Sequence, residues 1–255
     1  MSILSIIVSI LPIILIGLFI YKKDKRKEPS KLLLKLFVCG VSSCFPAIFF
    51  ELILGSFLPD MDYMNIFQIF LYSFFVIALS EELCKWFFVY KMSYRHDEFD
   101  SLYDMIVYAS FVALGFACFE NVLYVSSKGI LAGVFRAISA VPGHVCDGIF
   151  MGSYLSLAKI NEIRGNNKLS KKYKIYSLVI PTIIHGIYDF CLFSGNSVLI
   201  GIFLIYVIVL FVICFKTVKK ISLNNFKFRF RNNYCTNCGL EVTAKFCTRC
   251  GNENN

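Results

Sequence analysis

Apolar and polar residues along this chain do not alternate at the scale of a strand or a helix turn; they fall into long blocks. Seven apolar blocks lie near 2–21, 32–54, 66–90, 105–125, 130–158, 176–194 and 197–215. Each is long enough to cross a hydrocarbon core of ~30 Å, which takes ~20 helical residues. Lipid offers no partner to an exposed backbone N–H or C=O, so apolar spans of this length are helical. The pattern therefore predicts an all-α polytopic membrane protein with about seven transmembrane helices. Pro142 interrupts the fifth block and Pro181 lies inside the sixth, which neighbouring helices can accommodate. The first block is followed, not preceded, by a basic run, and no small-residue cleavage site comes after it. It reads as a retained span and not as a signal peptide.

The polar segments between the blocks are of two kinds. Residues 22–31 hold six Lys/Arg, 91–104 hold two, 159–175 hold six and 216–255 hold eight. The alternate segments, 55–65, 126–129 and 195–196, hold only Lys128. Lys and Arg collect in cytoplasmic loops, so the N-terminus is expected outside and the C-terminal tail in the cytoplasm of a multi-pass cell-membrane protein, with a bacterial membrane the expected setting.

Composition agrees. Of 255 residues, 57% are hydrophobic and 17% charged, with mean hydropathy +0.67, whereas soluble domains carry about a quarter charged residues. A single soluble core is excluded. The formal charge of +9 bears on orientation and not on nucleic acid, for which no motif is present. The polybasic stretch from Lys216 to Arg231 is suited to anionic lipid headgroups. No glycine motif suggests a nucleotide cofactor.

Eleven cysteines divide into two groups. Cys39, Cys44, Cys84, Cys118, Cys146, Cys191 and Cys214 lie in apolar blocks and read as small buried hydrophobes. Cys235, Cys238, Cys247 and Cys250 form two Cys-x-x-Cys pairs, followed by Gly239 and Gly251. Four thiolates at this spacing make the closed tetrahedral shell of structural zinc. A segment this short cannot build a sufficient core, so metal would supply most of its folding free energy. The expected organisation is a transmembrane domain at 1–221, a basic linker at 222–232 and a zinc ribbon at 233–255. The ribbon has no open metal position, so it is assigned no catalysis and is expected to dock an unidentified cytoplasmic partner.

The candidate chemistry lies inside the membrane. An ionisable residue at mid-bilayer costs at least ~2.5–3.5 kcal/mol on insertion scales, and this chain places a set of them on four consecutive spans. The third carries Ser80-Glu81-Glu82-Leu83-Cys84-Lys85, with Glu81 and Lys85 one turn apart and able to pair, and Glu82 directed to another neighbour. The fourth carries Glu120-Asn121, the fifth His144 and Asp147, and the sixth His185 and Asp189, again one turn apart. Counted from the outer ends, Glu81, His144 and His185 fall roughly 9–15 residues in, or ~14–23 Å at 1.5 Å per residue. Glu120 lies nearer the outer surface. Carboxylates that activate water, beside imidazoles that bind metal or an oxyanion, are hydrolytic equipment. Two His and a Glu also make a catalytic metal site open to water. The structural alternative is helix–helix ion pairing with Lys85 and Arg136. Arg136 is assigned such a partnership, and Lys35 and Glu51, near the ends of the second span, are expected to snorkel to the interface. His96, in a charged loop, is expected to be solvated.

These clusters, Glu81-Glu82-x-x-Lys85, Glu120-Asn121, His144 and His185-x-x-x-Asp189, resemble in order and placement the PrsW family of intramembrane proteases, which is related to the CAAX-processing proteases. The resemblance covers roughly residues 60–195. It implies an endopeptidase that cuts a membrane-anchored protein substrate, in the family's named case an anti-sigma factor in signalling. It implies catalytic roles for Glu81, Glu82, Glu120, His144, His185 and Asp189, with Lys85, Asn121 and Asp147 in support. One of Glu81 and Glu82 would activate water, Asn121 could donate to the oxyanion, and Asp189 would fix the tautomer of His185. The family is described both as a metalloprotease and, through its relatives, as glutamate-dependent. A catalytic zinc on His144, His185 and Glu120 is thus a second reading of the same residues, beside the structural zinc of the ribbon. Two other functions fit buried Glu, His and Asp: an ion-coupled transporter, although no internal repeat is visible, and a non-enzymatic scaffold whose working part is the ribbon.

Overall fold

The computed structural model describes residues 2–223 and Arg249. Cys235, Cys238, Cys247 and Cys250 lie outside the described residues, as does the predicted ribbon they would form. Seven candidate membrane spans are present among the described residues, and no strand is. The helices are α1 (Ile3–Lys23), α2 (Ser30–Gly55), α3 (Ile66–Ser93), α4 (Leu102–Lys128), α5 (Ile130–Ile138), α6 (Ala140–Ile163), α7 (Asn167–Phe193) and α8 (Ser197–Leu223), with α5 and α6 together making the fifth span.

The spans run further into the polar segments than their apolar blocks do. A loop is expected over 159–175, yet α6 continues to Ile163 and α7 begins at Asn167. Lys and Arg are good helix formers, and their long stems carry the charge out of the membrane without unwinding the backbone. Only a turn remains, made at Gly165 with φ of 77°.

The fifth span breaks elsewhere than expected. The break is at Ser139 (φ −121°, ψ −66°), and Pro142 sits in the first turn of α6, where a missing N–H costs nothing because that donor has no intrahelical partner. In α3, a capping box between Asn65 and Gln68 starts the helix. A π-helical segment, Tyr72–Ala78, then precedes the Glu81-Glu82 pair.

Helix α4 is the hub, buried almost continuously from Tyr103 to Ala117, and its closest neighbours are α6 and α2. It meets α2 at Gly40 and Gly115. A Cβ on Gly40 would stand 2.0 Å from the Val112 carbonyl oxygen, and one on Gly115 would stand 2.0 Å from that of Phe37. The backbones can approach this closely only because both positions lack side chains. Helix α8 lies at the periphery and exposes most of its apolar surface, as a lipid-facing helix should. Five of the seven cysteines in the spans, Cys44, Cys84, Cys146, Cys191 and Cys214, are buried as expected, while Cys39 and Cys118 are partly exposed.

Candidate active site

Lys85 stands at the centre of the polar cluster. Its ammonium lies 3.0 Å from Glu81 Oε2, 2.8 Å from Glu82 Oε1 and 3.1 Å from His144 Nδ1. Three protons meet three acceptors, so its donor capacity is filled. The ammonium also lies 3.9 Å from the centroid of the Phe116 ring. Glu81 and Lys85 pair as the sequence spacing predicts. Glu82, expected to face only another neighbour, does both: it reaches Lys85 at i,i+3 and places Oε1 3.0 Å from His185 Nδ1.

The two imidazoles are arranged alike. Each presents Nδ1 to the Glu81–Glu82–Lys85 centre and turns Nε2 outward to a carboxylate. His144 Nε2 is 2.8 Å from Glu120 Oε2, and His185 Nε2 is 3.4 Å from Asp189 Oδ2. The ring centroids are 5.2 Å apart. Glu120 is held in turn by Arg136 Nη2 at 2.7 Å, the structural partnership assigned to Arg136, and that guanidinium lies over the Tyr124 ring. Glu120 was placed nearer the outer surface by residue counting. It reaches His144 because the break at Ser139 lets α6 begin at the level where α4 carries Glu120.

Asp147 is buried with Oδ2 3.9 Å from His185 Nδ1. Glu82 Oε2 and Asp147 Oδ1 have no hydrogen-bond partner among the described residues. Asn121 is not with this group: its Nδ2 donates to the Ser9 carbonyl at 3.1 Å and ties α4 to α1. His96 is exposed in its loop.

A cavity of about 550 Å³ opens beside the cluster, lined among others by Glu51, Glu81, Glu120, His144, His185 and Asp189. Met61 and Lys128, from the two segments 55–65 and 126–129, border it as well. Glu81 lines this cavity. Glu82 does not, and is fully buried behind it. Glu51, expected to snorkel to the interface, lines the same cavity as the clustered residues. The clue was present, because a carboxylate inside the apolar block 32–54 is as anomalous as those on the later spans. Phe116 carried a weaker signal, one turn before Glu120 on the same face of α4.

The donor set can accommodate a metal. One ligand atom from each of Glu81, Glu82, His144 and His185 lies within 4.8 Å of the others. Two inward nitrogens, each backed by a carboxylate on the opposite ring nitrogen, form the arrangement by which metal-binding imidazoles are usually held. Glu120, expected among the ligands, sits behind His144 on its outer nitrogen, so the converging carboxylates are Glu81 and Glu82. The Lys85 ammonium occupies the centre of the same set. A bound divalent ion and that ammonium would therefore compete for Glu81, Glu82 and His144.

Comparison with known proteins bears on this geometry. The family described as PrsW family intramembrane metalloprotease matches residues 28–216. A protease PrsW of Oceanobacillus iheyensis is 37% identical over 224 residues, covering 88% of this chain and 98% of the relative. The protease PrsW of Bacillus subtilis is 36% identical, covering 71% and 78%, and that of Clostridioides difficile is 32% identical, covering 89% and 94%. No solved structure matches the chain significantly.

Proposed function

The chain belongs to the PrsW family of intramembrane proteases, and from that premise we propose that it cuts a membrane-anchored protein with water activated by Glu81. The observation that carries this reading is that Glu81 faces the cavity beside both imidazoles while Glu82 lies buried behind it. Glu81 is then the general base that takes a proton from water. Glu82 holds Lys85 and His185 in place. His144 and His185, at the cavity wall, are the groups able to steady the oxyanion of the tetrahedral intermediate and return a proton to the leaving amine. Glu120 accepts the Nε2 proton of His144 and so fixes its tautomer, while His185, with a carboxylate at each ring nitrogen, is held between Glu82 and Asp189. Asn121, engaged with Ser9, takes no part.

A metal at this centre would be held by Glu81, Glu82, His144 and His185, and when bound would supply Lewis acidity and a more acidic water. The position of Lys85 favours the glutamate mechanism, because its ammonium already pairs with the two carboxylates a metal would use. The substrate is expected to reach the site from the face bearing segments 55–65 and 126–129, which the distribution of Lys and Arg assigns to the outside. The tail cysteines are proposed to hold a structural zinc in the cytoplasm, next to a docking partner.

The test is metal content per chain in purified protein, with and without Cys235, Cys238, Cys247 and Cys250, alongside cleavage of a membrane-anchored reporter. The glutamate mechanism predicts that removing the four cysteines takes zinc to zero while cleavage continues. About one residual zinc per chain, together with cleavage that stops on chelation, would assign the centre to a metal instead.

A further inference from the structure

Glu51 is a carboxylate of the cavity wall that the mechanism leaves unused and that stands away from the His185 ring. The others there are engaged. Glu81 meets Lys85, Glu120 meets Arg136 and His144, and Asp147 and Asp189 flank His185. Glu51 forms no hydrogen bond or ion pair among the described residues. It lies one turn from the end of α2 at Gly55, at the mouth of the cavity where Met61 also borders it. A carboxylate in a membrane span is costly unless something compensates it. Neither cation lining the cavity does so. Arg136 is committed to Glu120 and the Tyr124 ring, and Lys128, exposed at the end of α4 on the same face, forms no ion pair with Glu51.

Resting on the protease reading, we propose that Glu51 is a specificity subsite that receives a Lys or Arg side chain of the substrate close to the scissile bond. Glu51 and Glu81 line the same cavity of about 550 Å³, a space that holds only a short stretch of extended chain, at about 3.3 Å per residue, so the basic residue is placed within a few positions of the bond that Glu81 hydrolyses. The preferred substrate is therefore an anchored segment whose basic residue lies at the membrane boundary and next to its cleavage point. An acidic residue there would meet Glu51 with like charge.

The experiment uses full-length protein in proteoliposomes and anchored reporters that carry Lys, Gln or Glu at each of the three positions on either side of the cleavage point. The rate ratio of the Lys to the Glu reporter is measured for wild type, Glu51→Gln and Glu51→Lys. Because each ratio is internal to one preparation, differences in folding or insertion cancel. At one position the wild type is expected to prefer Lys over Glu by about tenfold or more, Glu51→Gln to bring the ratio near one, and Glu51→Lys to invert it. Cleavage with a ratio that is flat, or the same in all three proteins, would overturn the subsite and leave the protease reading intact. Absence of any Glu81-dependent cleavage of every reporter would overturn the protease reading and the subsite together.

Discussion

The Lys85 ammonium lies 3.1 Å from His144 Nδ1. An ammonium has only donors, so that nitrogen must offer its lone pair, and the ring proton must reside on Nε2, where it is donated to Glu120. Lys85 thus orients an imidazole, sets its tautomer and pairs with two glutamates of its own helix. Replacing Lys85 by Met should break a buried ion pair in which two carboxylates are left uncompensated, a change that costs about 3–5 kcal/mol. Lys85→Met is expected to lower the thermal midpoint of the purified protein and to abolish reporter cleavage. An unchanged midpoint would show that the carboxylates are neutral without Lys85.

Glu120 acts through His144. Glu120→Leu removes the acceptor for the Nε2 proton and leaves Arg136 without its carboxylate. Loss of such an outer partner typically costs ~10–100-fold in activity. The loss should appear in kcat with KM little changed, measured on the anchored reporter. Glu120→Gln, which still offers an acceptor oxygen, should recover part of it.

Gly186, next to His185, sets the approach of α7 to α3. A Cβ there would stand 2.5 to 2.8 Å from three atoms of the Phe74 ring, and Phe74 belongs to the π-helical segment that leads into Glu81 and Glu82. One of the three atoms is the ring carbon nearest the backbone, so turning the ring does not relieve the clash. Gly186→Ala should cost ~1–3 kcal/mol of overpacking and lower kcat at least about tenfold by separating His185 from Glu82. The double variant Gly186→Ala/Phe74→Leu should regain activity. Failure of Phe74→Leu to rescue would mean that this contact does not position the site.

Outside the spans, burial raises the Glu28 carboxyl to about 8, with Asp104, Asp24 and Glu98 adding to the effect and the hydrogen bond from the Tyr108 hydroxyl opposing it. Burial raises Asp24 as well. A carboxyl whose folded value lies above its unfolded one binds its proton more tightly in the folded state. Its contribution is complete below about pH 4.5 and is lost as pH rises through about 8. The thermal midpoint should therefore fall between pH 5 and pH 9, and Glu28→Gln should flatten that decline. A midpoint that rises over this range in wild type would contradict the assignment.

Much of this arrangement was legible in the sequence. Apolar blocks located the seven spans, and i,i+4 spacing correctly paired Glu81 with Lys85 and His185 with Asp189. What escaped depended on rotation and depth, which spacing leaves open. Both Glu81 and Glu82 lie within reach of position 85, so the sequence could not show that one ammonium serves both. Residue counting put Glu120 too shallow because it ended the fourth span at 125 and began the fifth at 130, whereas α4 runs to Lys128 and the fifth span breaks at Ser139. Asn121 follows Glu120 directly, yet a rotation of about 100° per residue turns it to α1. Glu51 was assigned to the interface because it is close to a helix end. That end proved to border the cavity.

The central claim is that Glu81, at the cavity wall, activates the water while Glu82 organises the charges behind it. The most direct measurement is the single-turnover rate of cleavage of an anchored reporter in proteoliposomes by wild type, Glu81→Gln and Glu82→Gln, with insertion and fold verified for each. Glu81→Gln should remove cleavage to background, and Glu82→Gln should lower it while the remaining activity still requires Glu81. A Glu81→Gln protein that cleaves at the wild-type rate would contradict the account.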